Sequence, residues 1–174
     1  MSKYSDEIAR AMLMLAEHEK TFFMGQSVAY PGNVIYKNLE PVPTTKKLEL
    51  PVFEETQMGM TLGLSIAGYI PVSIFPRFNF LILGLNQLVN HIDKIEQISD
   101  GKFKPHVIIK TMVGSVKPLH PGVQHCSDFT DSIQDMLTTV EVRRLDNPDK
   151  IFAEYSNALI NPGAYLMVEY GDMY

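Results

Sequence analysis

The sequence lacks tryptophan, contains one cysteine and has no long uninterrupted apolar segment. The single cysteine, Cys126, cannot form an intrachain disulfide, which favours a reducing compartment. The longest apolar stretch, residues 58–75, is interrupted by three glycines and a proline, whereas a membrane span needs about 18 or more apolar residues in succession. The first residues are polar and charged and do not resemble a secretory signal. We therefore predict a cytoplasmic protein without a membrane partner.

Basic residues are also scarce, because 15 lysines and arginines face 20 aspartates and glutamates, for a formal net charge of −5. The only basic doublets are Lys46-Lys47 and Arg143-Arg144. This charge argues against a nucleic-acid partner, since binding to a phosphate backbone requires a basic face. With 45% apolar and 20% charged residues, the composition is typical of a globular protein. A length of 174 residues predicts one domain over residues 1–174.

Several common catalytic and binding motifs are missing from the sequence. It has no G-x-G-x-x-G after a strand, no P-loop and no G-x-S-x-G. His120 and His125 lie five residues apart without the ligand pattern of a zinc site, so no metal site is predicted. Nothing near Cys126 in the sequence would activate it as a nucleophile.

Strand-like and helix-like segments alternate along the chain, which predicts an α/β fold. We expect a three-layer sandwich with a mostly parallel central sheet and helices on both faces. The prediction includes a strand at 48–53, helices at 55–68 and 79–98, and long loops at 26–45 and 113–128. Loops of this length in a compact domain usually carry function.

Residues 51–68 combine an acid with regularly spaced glycines. Gly59 and Gly63 lie four residues apart and would leave one helix face nearly bare, although glycine costs about 1 kcal/mol inside a helix. Such a face allows close packing, either within the domain or with a partner. Glu54, predicted to end the preceding strand, stands five, nine and fourteen residues before Gly59, Gly63 and Gly68.

This spacing resembles the pyrimidine-binding domain of thiamine-diphosphate enzymes. In that motif, a glutamate is followed after four residues by a glycine and a bulky apolar residue, and after two more residues by a second glycine. Here these positions are Glu54, Gly59, Met60 and Gly63, while Ile66 replaces a glutamine that is often present. The resemblance implies that a protonated Glu54 bonds the cofactor aminopyrimidine and favours its imino tautomer. Apolar surroundings favour the protonated form of a carboxyl group. The neighbouring Glu55 is out of register by one residue and fits a surface or helix-capping acid better.

An aromatic run follows, with Phe75, Phe78 and Phe80 ahead of the pair Asn86-Gln87. It resembles the beta subunits of the 2-oxo acid dehydrogenases, except that an amide, Asn86, replaces the usual acid. The resemblance implies that one of these rings packs on the aminopyrimidine, with Phe78 the best match and Phe80 and Phe75 behind it. The alternative is that all three are core residues.

The segment Gln124-His125-Cys126 resembles the Gln-His-Ser of the same beta subunits. This implies that His125 lines the substrate channel and binds substrate or transfers protons. The loop is longer here, which leaves the position of His120 open. The alternative for either histidine is an ordinary solvent-exposed loop residue.

Thiamine-diphosphate enzymes bind magnesium and diphosphate through Gly-Asp-Gly followed later by Asn, and residues 1–174 contain only Gly171-Asp172. The family's diphosphate-binding and C-terminal domains are therefore predicted to be absent. The resemblance implies that an alpha-type partner subunit supplies Mg²⁺ and shares thiamine diphosphate, within a homo- or heterodimer or a heterotetramer acting on a 2-oxo acid or a ketose. The chain alone is predicted to be inactive. The alternative is a non-catalytic scaffold or regulatory subunit that kept the fold.

Overall fold

A computed structural model describes residues 2–117 and 119–174. The strands, in chain order, are β1 (Thr21–Gly25), β2 (Lys47–Glu49), β3 (Ile70–Phe75), β4 (Val107–Val113), β5 (Glu141–Arg144) and β6 (Ala164–Tyr170). The α-helices are α1 (Lys3–Glu17), α2 (Val34–Leu39), α3 (Glu54–Ile66), α4 (Phe78–Leu81), α5 (Ile95–Ile98), α6 (Thr130–Met136) and α7 (Pro148–Ile160). Short 3-10 helices lie at Thr44–Lys46, Ile82–Gly84, Val123–His125 and Gly171–Met173, and a π-helix at Gln87–Ile92.

The six strands form one sheet in the order β2-β1-β3-β4-β6-β5, and every described pairing is parallel. The predicted α/β fold with a central parallel sheet is therefore confirmed. The strand order reverses between β1 and β3, because β2 lies on one side of β1 and the later strands lie on the other. In parallel sheets, ligands bind beyond the carboxyl ends of the strands at such a switch point.

Helices cover both faces of the sheet, which gives the predicted three layers. Buried residues of α1, α2 and α7 pack on one face, and those of α3, α4, the π-helix and α6 pack on the other. The central strands β3, β4 and β6 are buried along almost their whole length, as expected for a parallel sheet enclosed on both sides. Within residues 2–117 and 119–174, no helix has the length and apolar character needed to cross a membrane.

A buried ion pair lies in the layer formed by α1 and α7. Lys110 Nζ on β4 is 2.5 Å from Glu169 Oε2 on β6, and both side chains are almost fully buried. Tyr155 and Tyr174 donate hydroxyl hydrogen bonds to the same carboxylate. Burial, reinforced by the charge of Glu169, raises the pKa of both tyrosines, so they remain donors. This carboxylate is fully satisfied by its neighbours.

The predicted strand at 48–53 is wrong in its bounds, and Glu54 does not end a strand. The ladder stops after Leu50 N donates to Gly25 O over 2.8 Å. Pro51 has no N–H to continue it. Glu54 instead begins α3, where an acid in the first turn is favoured by the helix dipole.

The predicted loop at 26–45 contains a short helix, α2. Asn33 caps it by accepting a hydrogen bond from Tyr36 N over 2.8 Å, and Ile35 and Leu39 bury its apolar side. The prolines and the glycine that flank this helix led to the prediction of a loop. Asparagine is a preferred N-cap residue, so Asn33 was the available signal.

The single helix predicted at 79–98 is divided into α4, a 3-10 turn, the π-helix and α5. Asp93 N donates to Leu88 O, five residues back, which is the π-helical spacing. The Asp93 carboxylate accepts backbone hydrogen bonds from Thr138, Thr139 and Val140. Because Asp93 is held by residues more than forty positions away in the sequence, periodicity alone could not reveal that the helix is interrupted.

Candidate functional site

A cavity of about 470 Å³ opens at the carboxyl edge of the sheet, at the switch point between β1 and β3. It is lined from three strand ends and their loops, by Gln26 and Ser27 after β1, by Pro76, Arg77 and Phe80 after β3, by Met112 near the end of β4, by His125, and by residues 32–35. Loops at this edge are the usual place for a ligand site in this kind of fold.

Glu54 is buried beside this cavity, with 4% of its surface exposed. Gln26 Nε2 donates to Glu54 Oε1 over 3.2 Å, and no lysine or arginine of the described chain pairs with it. Glu54 lines a second cavity of about 300 Å³, together with Val52, Phe53, Glu55, Thr56 and Leu83. The hydrogen-bonded pair therefore joins two cavities, because Gln26 lines the first and Glu54 lines the second.

Glu55, the alternative acid, lies on the outer surface of α3. It is exposed and accepts long hydrogen bonds from Asn86 Nδ2 at 3.5 Å and Gln87 Nε2 at 3.4 Å. This placement agrees with the interpretation of Glu55 as a surface acid. Of the two neighbouring glutamates, only Glu54 is enclosed.

The three phenylalanines of the aromatic run differ in their surroundings. Phe75 and Phe78 are buried in the core at 1% and 0% exposure, and Phe78 packs edge-on against Phe129 with ring centroids 5.8 Å apart. Phe80 is half-buried and lines the larger cavity, where it meets the His125 ring edge-on at 5.5 Å. Among the three, Phe80 alone faces that cavity.

His125 reaches the cavity because its loop folds back onto the end of β4. A Cβ at Gly114 would collide with the His125 carbonyl oxygen, so only glycine permits this approach. Within the described residues, the buried His125 Nδ1 has no hydrogen-bond partner, and an unsatisfied buried polar atom of this kind is uncommon. His120 is exposed and does not line the cavity, and Cys126 bonds to Ser115 O at 3.4 Å, so neither adds a group to the site.

Sequence reasoning missed Glu49, which fixes the loop after β1. Its carboxylate accepts backbone hydrogen bonds from Ser27, Val28 and Ala29 at 2.7, 2.8 and 2.8 Å. Ser27 adopts a left-handed conformation with φ of 64°. This attachment holds Gln26 against Glu54. No local pattern indicates it, because the partners lie some twenty residues away in the sequence.

The glycine face of α3 is open. A Cβ at Gly63 would meet nothing within 4 Å, and one at Gly59 would approach Gln87 Oε1 at 3.8 Å. Packing within the domain therefore does not explain the bare face at Gly63. Three large apolar side chains nearby in the sequence are also exposed, Val52, Phe53 and Met60.

Metal binding has no structural candidate within residues 2–117 and 119–174. No cluster of three or more His, Cys, Asp or Glu side chains in the described part of the chain has an arrangement suited to a metal ion.

Comparison with solved structures places the chain among proteins with a transketolase-type α/β fold. A structure described as a split-gene transketolase in an inactive beta4 tetramer superposes with a TM-score of 0.63 and 15% identity, covering 98% of this chain and 51% of that one. At this identity the likeness concerns the fold.

Sequence comparison is more specific. The chain is 28% identical over 115 residues to the pyruvate dehydrogenase E1 component subunit beta of Rickettsia felis, covering 64% of this chain and 35% of that protein. It is 30% identical over 118 residues to the mitochondrial subunit beta of Dictyostelium discoideum, covering 66% and 33%. The matches span about a third of these relatives, and no family model matches the chain. The resemblance to beta subunits of 2-oxo acid dehydrogenases is confirmed.

Proposed function

We propose that this chain is the pyrimidine-binding subunit of a split thiamine-diphosphate-dependent enzyme, either 2-oxo acid dehydrogenase beta-like or transketolase-like. One observation carries the proposal, namely the burial and hydrogen bonding of Glu54. It is a buried acid with one neutral hydrogen-bond donor, at the start of a helix with the family's glycine spacing. Burial of a carboxyl group without a charged partner is costly, and a ligand that bonds to Glu54 would offset this cost.

The residues around Glu54 fit an aminopyrimidine ring. The apolar side chains of Val52, Phe53 and Leu83 in the smaller cavity offer a wall for a flat heteroaromatic, and Glu54 lines the same cavity. When bound, thiamine diphosphate supplies a carbon nucleophile for a substrate carbonyl. Glu54 would hold a proton at the ring nitrogen, and Gln26 would orient the carboxyl group through its 3.2 Å hydrogen bond.

On the substrate side, we assign roles to Phe80 and His125. Phe80 is favoured over Phe78 and Phe75 as the ring that contacts cofactor or substrate, because the latter two are enclosed in the core. His125 lines the cavity, and its Nδ1 has no hydrogen-bond partner among the described residues. It would bind the substrate carbonyl oxygen or transfer a proton there.

The proposal requires a partner. An alpha-type subunit would supply the diphosphate site and Mg²⁺, since residues 1–174 contain no Gly-Asp-Gly…Asn signature, and we propose that this chain contributes a single pyrimidine-binding domain. Calorimetry on the isolated chain should therefore detect only weak thiamine-diphosphate binding without magnesium dependence. Tight, magnesium-dependent binding by this chain alone would contradict the split arrangement. We keep the cytoplasm as the proposed location, because the single cysteine favours a reducing compartment.

We assign the interface to the open face of α3, at Gly59 and Gly63. A protein of this fold, the split-gene transketolase, is described as a beta4 tetramer, which supports the proposal that this chain also assembles with other subunits. Gly63→Leu should block assembly in size-exclusion chromatography and leave the circular dichroism spectrum unchanged, because no atom within the domain lies near a Cβ at this position. Normal assembly of the variant would remove this face from the interface.

The decisive experiment compares Glu54→Gln with Glu55→Gln in the complex reconstituted with its partner. The readout is exchange of the cofactor's thiazolium proton with deuterium. Glu54→Gln should slow exchange by about 10² to 10⁴, the usual contribution of an acid-base group, while Glu55→Gln should change it little. The reverse result would shift the assignment by one residue. If neither variant slows exchange, the scaffold alternative replaces the enzyme proposal.

A further inference from the structure

Arg77 differs from the other arginines of the chain. It is half-buried at the carboxyl end of β3, and it has no carboxylate partner within residues 2–117 and 119–174. The other three arginines are each paired with acids: Arg10 with Glu7, Arg143 with Glu141 and Glu154, and Arg144 with Asp128 and Asp131. A permanent charge that is partly removed from water and lacks a counter-ion is costly unless a ligand supplies one.

The cavity around Arg77 is depleted of negative charge. Although acids outnumber bases in the chain, none of the described residues that line this cavity is acidic. Its other polar members include the neutral amides of Gln26 and Asn33 and the ring of His125. One full positive charge therefore faces a cavity lined by neutral donors and acceptors.

The backbone at Arg77 is held firmly. Pro76 precedes it with a fixed φ angle, and Phe78 follows it with its side chain wholly buried. A guanidinium group on such a support presents a planar fork that matches the oxygens of a carboxylate or a phosphate. Phe80 and His125, in edge-on contact at 5.5 Å, line the same cavity.

We propose that Arg77 binds the anionic group of the substrate and makes this site selective for negatively charged carbonyl compounds over neutral ones. The identification of that ligand as a substrate rests on the proposed function. The anion itself has two chemical sources, the carboxylate of a 2-oxo acid or the phosphate of a sugar phosphate. Both present oxygens that accept two hydrogen bonds from one guanidinium group.

The test uses the full chain without cofactor or partner, and follows the ¹⁵N side-chain resonance of Arg77, assigned by its loss in Arg77→Gln. Titration with pyruvate or with inorganic phosphate should shift this resonance saturably, and the stronger of the two identifies the anion source. Neutral pyruvamide should not shift it. The His125 ring resonances should report the same titration in both wild type and variants.

Arg77→Gln should weaken binding of the preferred anion by about 10- to 100-fold, since a hydrogen bond to a charged group has that effect, and Arg77→Lys should retain part of it. Arg10→Gln is the matched control and should leave the affinity unchanged, because Arg10 stacks on Phe152 away from the cavity. An unshifted Arg77 resonance, an equal response to pyruvamide, or equal weakening in Arg10→Gln would overturn the inference. Each result is independent of proton exchange in Glu54→Gln, so failure here and failure of the proposed function are distinguishable.

Discussion

Two buried glutamates in this chain have opposite surroundings. Glu169 is fully buried and receives a lysine at 2.5 Å and two tyrosine hydroxyls. Glu54 is 4% exposed and receives one amide hydrogen bond at 3.2 Å. The first lies in the closed layer under α1 and α7, and the second lies at the carboxyl edge of the sheet between two cavities.

From this difference we predict that Glu169 serves the fold and that Glu54 is available to a ligand. A buried carboxylate is tolerated when cations and donors saturate it. A single neutral donor offsets little of the free energy that burial of a carboxyl group costs. We therefore propose that the burial of Glu54 serves a group that binds there. Four predictions follow in order of decreasing expected effect: the first two test saturated acids, and the last two test the surroundings of the candidate site at Gly114 and Gly63.

Removal of the cation from the saturated site should have the largest effect on stability. Lys110→Met leaves Glu169 buried without its cationic partner, and loss of one member of a buried pair costs about 3–5 kcal/mol. The free energy of unfolding from urea titration measures it. The matched control is Lys3→Met, which removes an exposed pair with Asp149 and should leave stability almost unchanged. Equal effects in the two variants would show that Glu169 does not depend on Lys110.

Asp93 provides a second saturated acid, and its stabilising effect depends on pH. Although burial opposes ionisation, hydrogen bonds from the Lys94 side chain, from the backbone at Thr139 and Val140 and from the Thr138 side chain hold the pKa of Asp93 well below its usual range. A lowered folded pKa stabilises the fold above the unfolded value of about 3.9, and this stabilisation is lost as the pH falls below it.

Asp93→Asn should therefore cost about 1.5–3 kcal/mol near neutral pH, the range for hydrogen bonds to a charged group. The variant should also lose less stability than wild type between neutral and acidic pH. Urea titrations over a pH series measure both quantities. An unchanged acid response would mean that Asp93 is not the group responsible.

A substitution at Gly114 tests how the loop that carries His125 packs against the end of β4. Gly114→Ala places a methyl group against the His125 carbonyl oxygen, so the loop must move, at a cost of about 1–3 kcal/mol for an overpacked contact. The nuclear magnetic resonance signals of His125 and Phe80 should shift in the variant. If both signals and stability remain as in wild type, the loop does not pack on β4 as described.

Gly63 should show the smallest effect, with the opposite sign. Since nothing lies within 4 Å of a Cβ there, Gly63→Ala removes the helix penalty of glycine and should stabilise the isolated chain by about 0.5–1 kcal/mol. Thermal unfolding of the chain without its partner measures this. A loss of stability would mean that the glycine face packs within the domain after all.

The sequence was sufficient for the fold class, the glycine helix and the burial of Glu54. Alternating patterns and short spacings are local, and they carry that information. The long helix at 79–98 and the strand at 48–53 were predicted wrongly, because their ends depend on the Asp93 contacts and on the last bond of a short edge strand. Gln26 and Glu49 were missed for the same reason, since their partners are far away in the sequence.

The measurement that tests the central claim most directly compares the unfolding free energies of Glu54→Gln and Glu169→Gln in the isolated chain. Glu54→Gln should change stability by less than about 1 kcal/mol, since only one neutral hydrogen bond is affected. Glu169→Gln should cost about 3–5 kcal/mol, because it leaves Lys110 buried without its counter-ion. If Glu54→Gln destabilises the chain as much as Glu169→Gln, Glu54 is a structural acid and the account given for it is contradicted.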